Sequence, residues 1–348
     1  MRRALKSPLA LTIALAVVLL VGISVWLLTD PKTTRADALR TGGLAGASIV
    51  ALYALWLNDR RRKVEEGRQE IERQRHVLES HRAERDLERV SDERFAKAVE
   101  LLGNDADQVR VGALHALAGL ARTREAYRQT VLDVLCSYLR RPFKHDDKAP
   151  EAERERVVRQ TAQRLIADLL PSRDDTEAEA YNLDLTTATL DHFDLSGRRV
   201  GELTLRHAEM HSTTRFHEMA IEGPLWMTAA QLHGKLRLHD SKLKRGWFSG
   251  TKFAAKAVFV RSEFGAEVSF EGAVFSGEAL FEGTTFTESL DLQRTKFDDH
   301  VDLRLSAKPP KLDLKLTLVR PDRVPELPDW LTTQRQPNGD VRIAAVRG

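Results

Sequence analysis

Residues 264–286 read FGAEVSFEGAVFSGEALFEGTTF, with a phenylalanine at every fifth or sixth position. The same spacing extends in both directions as one column of large apolar residues: Leu185, Leu190, Leu195, Val200, Leu205, Met210, Phe216, Ile221, Met227, Leu232, Leu238, Leu243, Phe248, Phe253, Phe259, Phe264, Phe270, Phe275, Phe281, Phe286, Leu292, Phe297 and Leu303. From Leu205 onward the steps alternate between five and six, so the period is eleven, with one residue missing near Phe248. Because a helix repeats every 3.6 residues and a strand every 2, this period indicates a repeat fold.

A second column of small or apolar residues lies two positions before most of these. It comprises Ala208, Thr214, Ala230, Ser241, Gly246, Thr251, Ala257, Ala273, Ala279, Thr284 and Thr295. One large and one small inward side chain per five or six residues predicts a narrow coil that turns a corner after each short face. The polar Arg198 stands where a small residue belongs, which makes the first coils less regular. Ordinary alternating strands are the rival interpretation.

The chain resembles the pentapeptide-repeat family in its Phe-rich Ala-x-Phe variant, of which Ala273-Val274-Phe275 and Ala279-Leu280-Phe281 are good copies. The resemblance implies a right-handed, four-sided β-solenoid with the large residues stacked inside. Two eleven-residue units per coil place residues 22 apart on adjacent turns, roughly 4.8 Å from each other. We therefore expect Phe253, Phe275 and Phe297 to form one ladder, Phe259 with Phe281 a second, and Phe264 with Phe286 a third. Three pairs of opposite charge should stack outside: Lys242 with Glu263, Lys256 with Glu278, and Glu282 with Arg304.

Two uncharged runs precede the repeats. Residues 7–29 include no charge over 23 positions, and residues 41–58 include none over 18. At ~1.5 Å per residue the first run is long enough to cross a bilayer core of ~30 Å as a helix. The second is short but spans if the Arg40 side chain extends to the headgroups. They predict a transmembrane hairpin over residues 1–58. The basic residues Arg2, Arg3 and Lys6 before it and Arg60–Lys63 after it predict that both termini face the cytoplasm, with loop 30–40 outside. A cleaved signal peptide is the alternative, although Val25–Leu28 offers no small-residue cleavage site.

The next segments are polar and then helical. Residues 59–92 predict a stalk helix whose thin seam, Val64, Ile71 and Leu78, leaves dimerisation open. Residues 93–171 predict a small all-α domain of four helices, one of them similar to the second helix of a HEAT repeat and entered from the capping candidates Asp105 and Asp107. The fold class is therefore α+β and multidomain. The solenoid is placed at 181–305 and a Pro-containing tail at 306–348.

The residues that usually carry catalysis are not arranged in any motif here. There is no Gly-rich phosphate loop, no nucleophile elbow, no His-Glu-x-x-His and no cysteine pair, since Cys136 is the one cysteine. Cys136 falls on an apolar helical face, where a buried inert thiol is expected. The sequence thus favours a protein that is not an enzyme, and no cofactor is predicted. The combination of apolar runs, helical segment and solenoid resembles a common bacterial membrane-associated architecture of undetermined biochemistry, located at the plasma membrane.

Two non-catalytic functions fit this organisation. The first is a membrane-tethered scaffold whose solenoid binds a protein partner. The second, known from some pentapeptide proteins, is imitation of duplex DNA by an acidic rod that occupies a topoisomerase. Residues 231–261 contain eight basic residues and one acidic residue, whereas residues 262–305 contain ten acidic and three basic ones. A DNA mimic needs a continuous negative surface, so this distribution favours the scaffold. The net charge of +3 likewise makes nucleic acid an improbable partner.

The candidate partner-binding residues are Trp226, Trp247, Lys242, Lys244 and Arg245. Each tryptophan directly precedes an inward residue, so the two rings should stack outside, next to the basic side chains, in the composition of an interface hot spot. The alternatives are that the missing residue turns Trp247 inward, or that the tail or helical domain covers both rings.

Four histidines repeat the pattern, with His211 under His233 and His217 under His239. They are candidate metal ligands only if a corner brings the two pairs within about 4 Å. The plainer interpretation is four solvated surface residues.

Overall fold

The computed structural model describes residues 8–29, 35–146 and 148–346. It divides into two compact units, residues 1–89 and 90–348. The predicted basic residues Arg2, Arg3 and Lys6, and the first part of the predicted loop (residues 30–34), lie outside the described residues.

The N-terminal helices are α1 (Pro8–Leu28) and α2 (Arg35–Leu102). The 68-residue α2 joins what the sequence divides into three parts: the second apolar run, the polar stalk and the first helix of the helical domain. No helix among the described residues combines the length and the apolar character that crossing a membrane requires, so the two predicted spans are not supported. Along the stalk, the side chains of Ile71 and Leu78 are exposed, and that of Val64 is not among those described.

The helical domain continues from the end of α2 with α3 (Asp107–Thr123), a 3-10 turn (Glu125–Tyr127), α4 (Arg128–Leu139) and α5 (Pro150–Leu169). All four predicted helices are present, and α5 ends at Leu169, two residues before Pro171, which cannot continue a helix. The prediction of an Asp cap on α3 is wrong, because Ala106 occupies the N-cap and no side chain caps it. Cys136 is buried and free, and burial raises the pKa of its thiol to about 12.

The β-strands form a solenoid of about six turns, in which short strands lie on four faces. On the first face lie β1 (Leu183–Asp184), β4 (Leu203–Thr204), β7 (Ala220–Trp226), β10 (Lys242–Trp247), β14 (Glu267–Ser269), β18 (Ser289–Asp291) and β21 (Lys311–Asp313). On the second lie β2 (Thr189–Asp191), β5 (Glu209–His211), β8 (Gln231–Leu232), β11 (Lys252–Phe253), β15 (Val274–Phe275), β19 (Lys296–Phe297) and β22 (Leu318–Val319).

The third face contains β6 (Thr214–Arg215), β9 (Leu236–Arg237), β12 (Ala257–Val258), β16 (Ala279–Leu280) and β20 (Val301–Asp302). The fourth contains β3 (Arg199–Val200), β13 (Glu263–Phe264) and β17 (Thr285–Phe286), together with the first residues of β7 and β10, which bend across a corner. Every pairing between successive coils is parallel, and most join residues 22 apart, such as Phe253 with Phe275. The first coil is shorter, since Leu183 pairs with Leu203.

Both predicted columns form the core. All 23 large residues are at most 3 % exposed, and every member of the small column is buried. The predicted phenylalanine ladders are confirmed: ring centroids lie 4.4 Å apart for Phe253 and Phe275, and 5.0 Å apart for Phe275 and Phe297. The other two ladders have spacings of 4.7 and 5.0 Å. The irregular residue Arg198 stays partly exposed, and its guanidinium donates to the Leu170 carbonyl.

The eleven-residue period arises because every second corner of the solenoid contains the same kind of tight turn. There, a tight turn closes with a hydrogen bond from its fourth residue to its first, as in Phe281–Thr284, where the Thr284 amide donates to the Phe281 carbonyl. The third residue has a positive φ, which favours glycine: Gly272 and Gly283 occupy two of these positions, with φ of 64° and 66°. The fourth residue supplies the small inward side chain.

Buried hydroxyls of the small column bind the coil below. The Thr284 hydroxyl donates to the Phe259 carbonyl at 2.8 Å and the Thr295 hydroxyl to the Phe270 carbonyl at 2.9 Å. These side chains are fully buried, so the bonds satisfy groups that water cannot reach.

The predicted slip is confirmed and lies within β10. Lys242 pairs with Ala220, 22 residues earlier, whereas Trp247 pairs with Trp226, 21 residues earlier. The register shifts between Leu243 and Arg245, so the missing residue falls at Lys244.

The helical domain packs on the first coil of the solenoid, and the two share one hydrophobic core. Arg159 of α5 is 2 % exposed; its guanidinium donates to the carbonyls of Leu139 and Thr189 and lies 4.9 Å from the centroid of the Phe143 ring. Burial lowers the pKa of Arg159. The helices therefore cover the open edge of the first coil, which protects a sheet end from pairing with other chains.

The solenoid extends past the predicted boundary at Leu305. Strands β21 and β22 complete a further partial coil, and Thr317 and Val319 are buried in it. The rest of the tail forms an antiparallel hairpin of β23 (Leu331–Arg335) and β24 (Val341–Ala345), and β24 pairs with β22. The hairpin thus covers the last edge of the second face.

Candidate partner-binding surface

The two tryptophans stack on the outside of the first face, as predicted. The Trp226 and Trp247 ring centroids lie 5.5 Å apart with an interplanar angle of 13°, and both side chains are partly exposed. Trp247 is therefore not turned inward by the slip. The tail hairpin pairs with β22, which lies three coils beyond β11, the strand that follows Trp247, so the hairpin does not cap this pair.

Residues of the preceding coil fix the Trp226 ring. The Arg206 guanidinium carbon lies 4.2 Å from the ring centroid, and the indole N–H donates to the Glu202 carboxylate at 2.8 Å. A cation over an indole face contributes about 0.5–1 kcal/mol at an exposed site. Together with the Trp247 stack, these contacts preorganise the aromatic surface, which reduces the ordering cost when a partner binds. Sequence reasoning missed both Arg206 and Glu202.

Three basic residues precede Trp247 in the same strand, β10. Lys242, Lys244 and Arg245 are all exposed on β10, and Lys242 forms an ion pair with Glu263 at 3.6 Å. Among the described residues, neither Lys244 nor Arg245 has an ion-pair partner within 4 Å. In β7 two residues, Glu222 and Gly223, stand opposite Lys244 because of the slip. Lys244 and Arg245 are therefore exposed one after the other at this corner. Two unpaired cations beside an aromatic pair are suited to an acidic partner.

A shallow groove of about 370 Å³ adjoins these cations on the fourth face. Lys242, Lys244, Glu263 and Thr285 are among its lining residues. The groove borders the cations, and neither tryptophan lines it.

The other predicted charge ladders are also present. Lys256 and Glu278 form an ion pair at 2.6 Å, and Glu282 and Arg304 one at 3.7 Å. These pairs are exposed, so each adds at most about 1 kcal/mol to stability. Seven of the ten acidic residues in 262–305 lie within 4 Å of a basic side chain: Glu263, Glu271, Glu278, Glu282, Asp298, Asp299 and Asp302. Ion pairing of this extent reduces the negative surface charge on which a DNA mimic depends. Glu267, Glu288 and Asp291 have no basic side chain within 4 Å among the described residues, and Arg304 is shared by Glu282, Asp302 and Glu326.

The structure separates the four histidines into two stacked pairs on consecutive faces. His211 and His233 have ring centroids 4.5 Å apart, and His217 and His239 5.0 Å. Only the first pair enters a group of potential metal ligands among the described residues, and its third member is Glu209. The four imidazoles therefore do not form the joint site that the sequence pattern suggested.

A family model described as Pentapeptide repeats (9 copies) matches residues 259–306. The match falls within the coils that carry the phenylalanine ladders, and together with the solenoid it supports the resemblance to pentapeptide-repeat proteins. Comparisons with curated proteins and with solved structures return no match.

Proposed function

We propose that this protein is a non-catalytic scaffold whose solenoid binds an acidic protein segment through Trp226, Trp247, Lys244 and Arg245. The observation that carries the proposal is the stacked, preorganised tryptophan pair beside two cations that have no ion-pair partner among the described residues. Aromatic and arginine side chains dominate binding energy at many interfaces. Adjacent cations favour acidic partners and raise the association rate.

The test is a crosslinked pull-down with the full chain in its native cells. It compares the wild type with two double variants that carry the same change in charge at different places. Lys244→Glu with Arg245→Glu should remove the partners that the wild type captures, because like charges then face an acidic segment. The matched control is Lys235→Glu with Arg237→Glu, which makes the same change at exposed residues of the third face. Equal capture by all three proteins would refute the proposal.

A second variant pair tests the aromatic part. Trp226→Ala with Trp247→Ala should abolish capture while the solenoid remains folded. Loss of folding would show that the rings are structural, and capture unchanged in a folded protein would exclude them from the interface.

We further propose that the N-terminal unit attaches the scaffold to the plasma membrane. Support comes from the exposed apolar side chains of α1, among them Leu11, Val18 and Trp26, because large contiguous apolar surface is rarely left in water. Fractionation followed by alkaline carbonate extraction tests this: the chain should stay in the membrane pellet, and its release would refute integral attachment. Dimerisation through the stalk or solenoid remains a prediction, for which crosslinking of the full chain is the measurement.

A further inference from the structure

Two histidines and a glutamate converge on the second face, close to the helical domain. Glu209 and His211 are the first and last residues of β5, so both side chains point outward, and His233 follows β8 one coil later. One potential ligand atom from each residue lies within 4.8 Å of the other two. The 22-residue coil brings them together, although neither histidine is close to the other in sequence.

His211 has an unused nitrogen. Its Nε2 atom is buried and has no hydrogen-bond partner in the part of the chain that the structure describes, and a carboxylate oxygen of Glu209 lies 3.8 Å away. The His211 side chain is only 13 % exposed. A buried nitrogen without a partner is unfavourable, so a ligand that engages it would relieve an existing penalty.

A third imidazole covers His211 from the helical domain. The rings of His145 and His211 are parallel, with centroids 3.8 Å apart, and the Arg156 guanidinium fixes the backbone of His145 through its carbonyl at 2.7 Å. Burial, then the neighbouring His145 and His233, lowers the pKa of His211, while Glu209 and Asp146 oppose this change more weakly. The neutral imidazole that results is the form that binds metals.

We propose that Glu209, His211 and His233 bind a divalent transition-metal ion, with Zn²⁺ as its representative. Imidazole nitrogen and carboxylate oxygen are ordinary zinc ligands, and a site with three protein ligands leaves the fourth tetrahedral position to water. Tetrahedral bonds of about 2.0–2.1 Å separate ligand atoms by roughly 3.4 Å. Ligand atoms that lie up to 4.8 Å apart must therefore approach one another by up to about 1.4 Å. Glu209 and His233 can rotate to do so because both are exposed.

The same solenoid supplies a matched control. His217 and His239 stack in the same way, at 5.0 Å, but no carboxylate completes a group with both of them among the described residues. A property of stacked imidazoles alone would be shared by both pairs, whereas a metal site would belong to the first pair only.

The experiment measures zinc affinity of the tag-free full-length chain by competition with a chromophoric chelator. The wild type should bind one Zn²⁺ tightly, and either His211→Ala or His233→Ala should weaken that binding at least about tenfold. His217→Ala should leave it unchanged. Because His233 is exposed, His233→Ala keeps the test valid even where His211→Ala impairs folding.

A second readout is the visible absorption of Co²⁺ bound to the wild type, which should show intense tetrahedral bands that are lost in His233→Ala. Absence of zinc binding by the wild type would overturn the proposal. So would a zinc affinity that is unchanged in His233→Ala, or an equal loss in His217→Ala. None of these outcomes depends on the scaffold function, since the metal assay contains no partner.

Discussion

Replacing Phe275 by alanine tests the packing on which the whole solenoid depends. The Phe275 side chain is fully buried, and it stacks between Phe253 at 4.4 Å and Phe297 at 5.0 Å. It also meets the Phe281 ring edge-on at 6.1 Å. Removal of the ring therefore interrupts a continuous column and opens a cavity in the coil that holds it.

The expected loss is about 3–5 kcal/mol of unfolding free energy, the range for a fully buried phenylalanine. Phe275 has four aromatic contacts, including a tilted one with Phe270 at 5.9 Å. Two of the four are parallel stacks, each adding about 0.5–1.5 kcal/mol beyond simple burial, so we expect the upper half of that range. Collapse around the cavity is limited, because backbone hydrogen bonds fix the coils above and below at their spacing. The outward neighbour Val274 is only partly buried, so Val274→Ala should cost less than about 1 kcal/mol and serves as the control.

The assay is native-state hydrogen exchange read by mass spectrometry on the full chain, because repeat proteins open locally as well as globally. In Phe275→Ala, peptides covering β11, β15 and β19 should exchange faster, whereas those of α3 and α4 should be unaffected. A loss below about 1 kcal/mol, or equal acceleration in the Val274→Ala control, would refute the stacked-core account.

Three further changes probe other parts of the coil. Thr284→Val should cost about 1–2 kcal/mol in chemical denaturation, because its hydroxyl donates to the buried carbonyl of Phe259, and the predicted loss is wrong if the valine protein is equally stable. Gly234→Ala should cost at least about 3 kcal/mol, since an added Cβ would lie 1.5 Å from the Ser212 carbonyl oxygen; a thermal melt indistinguishable from wild type would contradict this. His211 has a lowered pKa, so its stabilising contribution is complete above its usual value of 6.5 and is lost as the pH falls. Thermal unfolding of the wild type should therefore shift down on acidification more than that of His211→Gln, in which no proton binds at this position.

The solenoid could be predicted from the sequence because one residue type at one spacing makes the entire core. In a narrow coil each inward position has room for a single large side chain, so a missing or polar residue has no neighbour to compensate for it. For this reason the missing residue near Phe248 can be detected by counting the spacing between large residues in the sequence. The strand pairing then places it at Lys244.

Other elements lacked such a signal. No helix-breaking residue separates the polar stalk from the helical domain before Gly103. The sequence therefore does not indicate whether this region forms one helix or several, and the structure shows one, α2. Arg159 lies in the segment predicted to be a helical domain, and its guanidinium donates to the Thr189 carbonyl of the solenoid. Contacts of this kind join residues that are distant in sequence, so the spacing of the repeat does not predict them.

Some residues of the two candidate sites could likewise be predicted from the repeat, and others could not. The Trp226–Trp247 stack follows from the register, because both rings belong to the repeat and differ by one coil. The partners that fix or complete each site do not follow: Arg206 reaches the indole from another coil, and His145 reaches His211 from the α4–α5 connection. Periodicity therefore predicts which side chains stack, whereas the groups that convert a stack into a binding site have to be read from the structure.

The outward side chains of the first face show why binding is expected at one part of the rod. Along successive coils one ladder position is occupied by Thr204, Trp226, Trp247, Ser269 and Asp291. Ser269 donates to Asp291 at 2.9 Å, and most acidic residues of these later coils pair with bases, so their polar groups are already engaged within the protein. A partner gains most where polar groups are still unpaired and aromatic surface is still exposed, because neither existing ion pairs nor hydrogen bonds must then be broken. In this chain that condition is met in the coils around β7 and β10, and the partner should approach there.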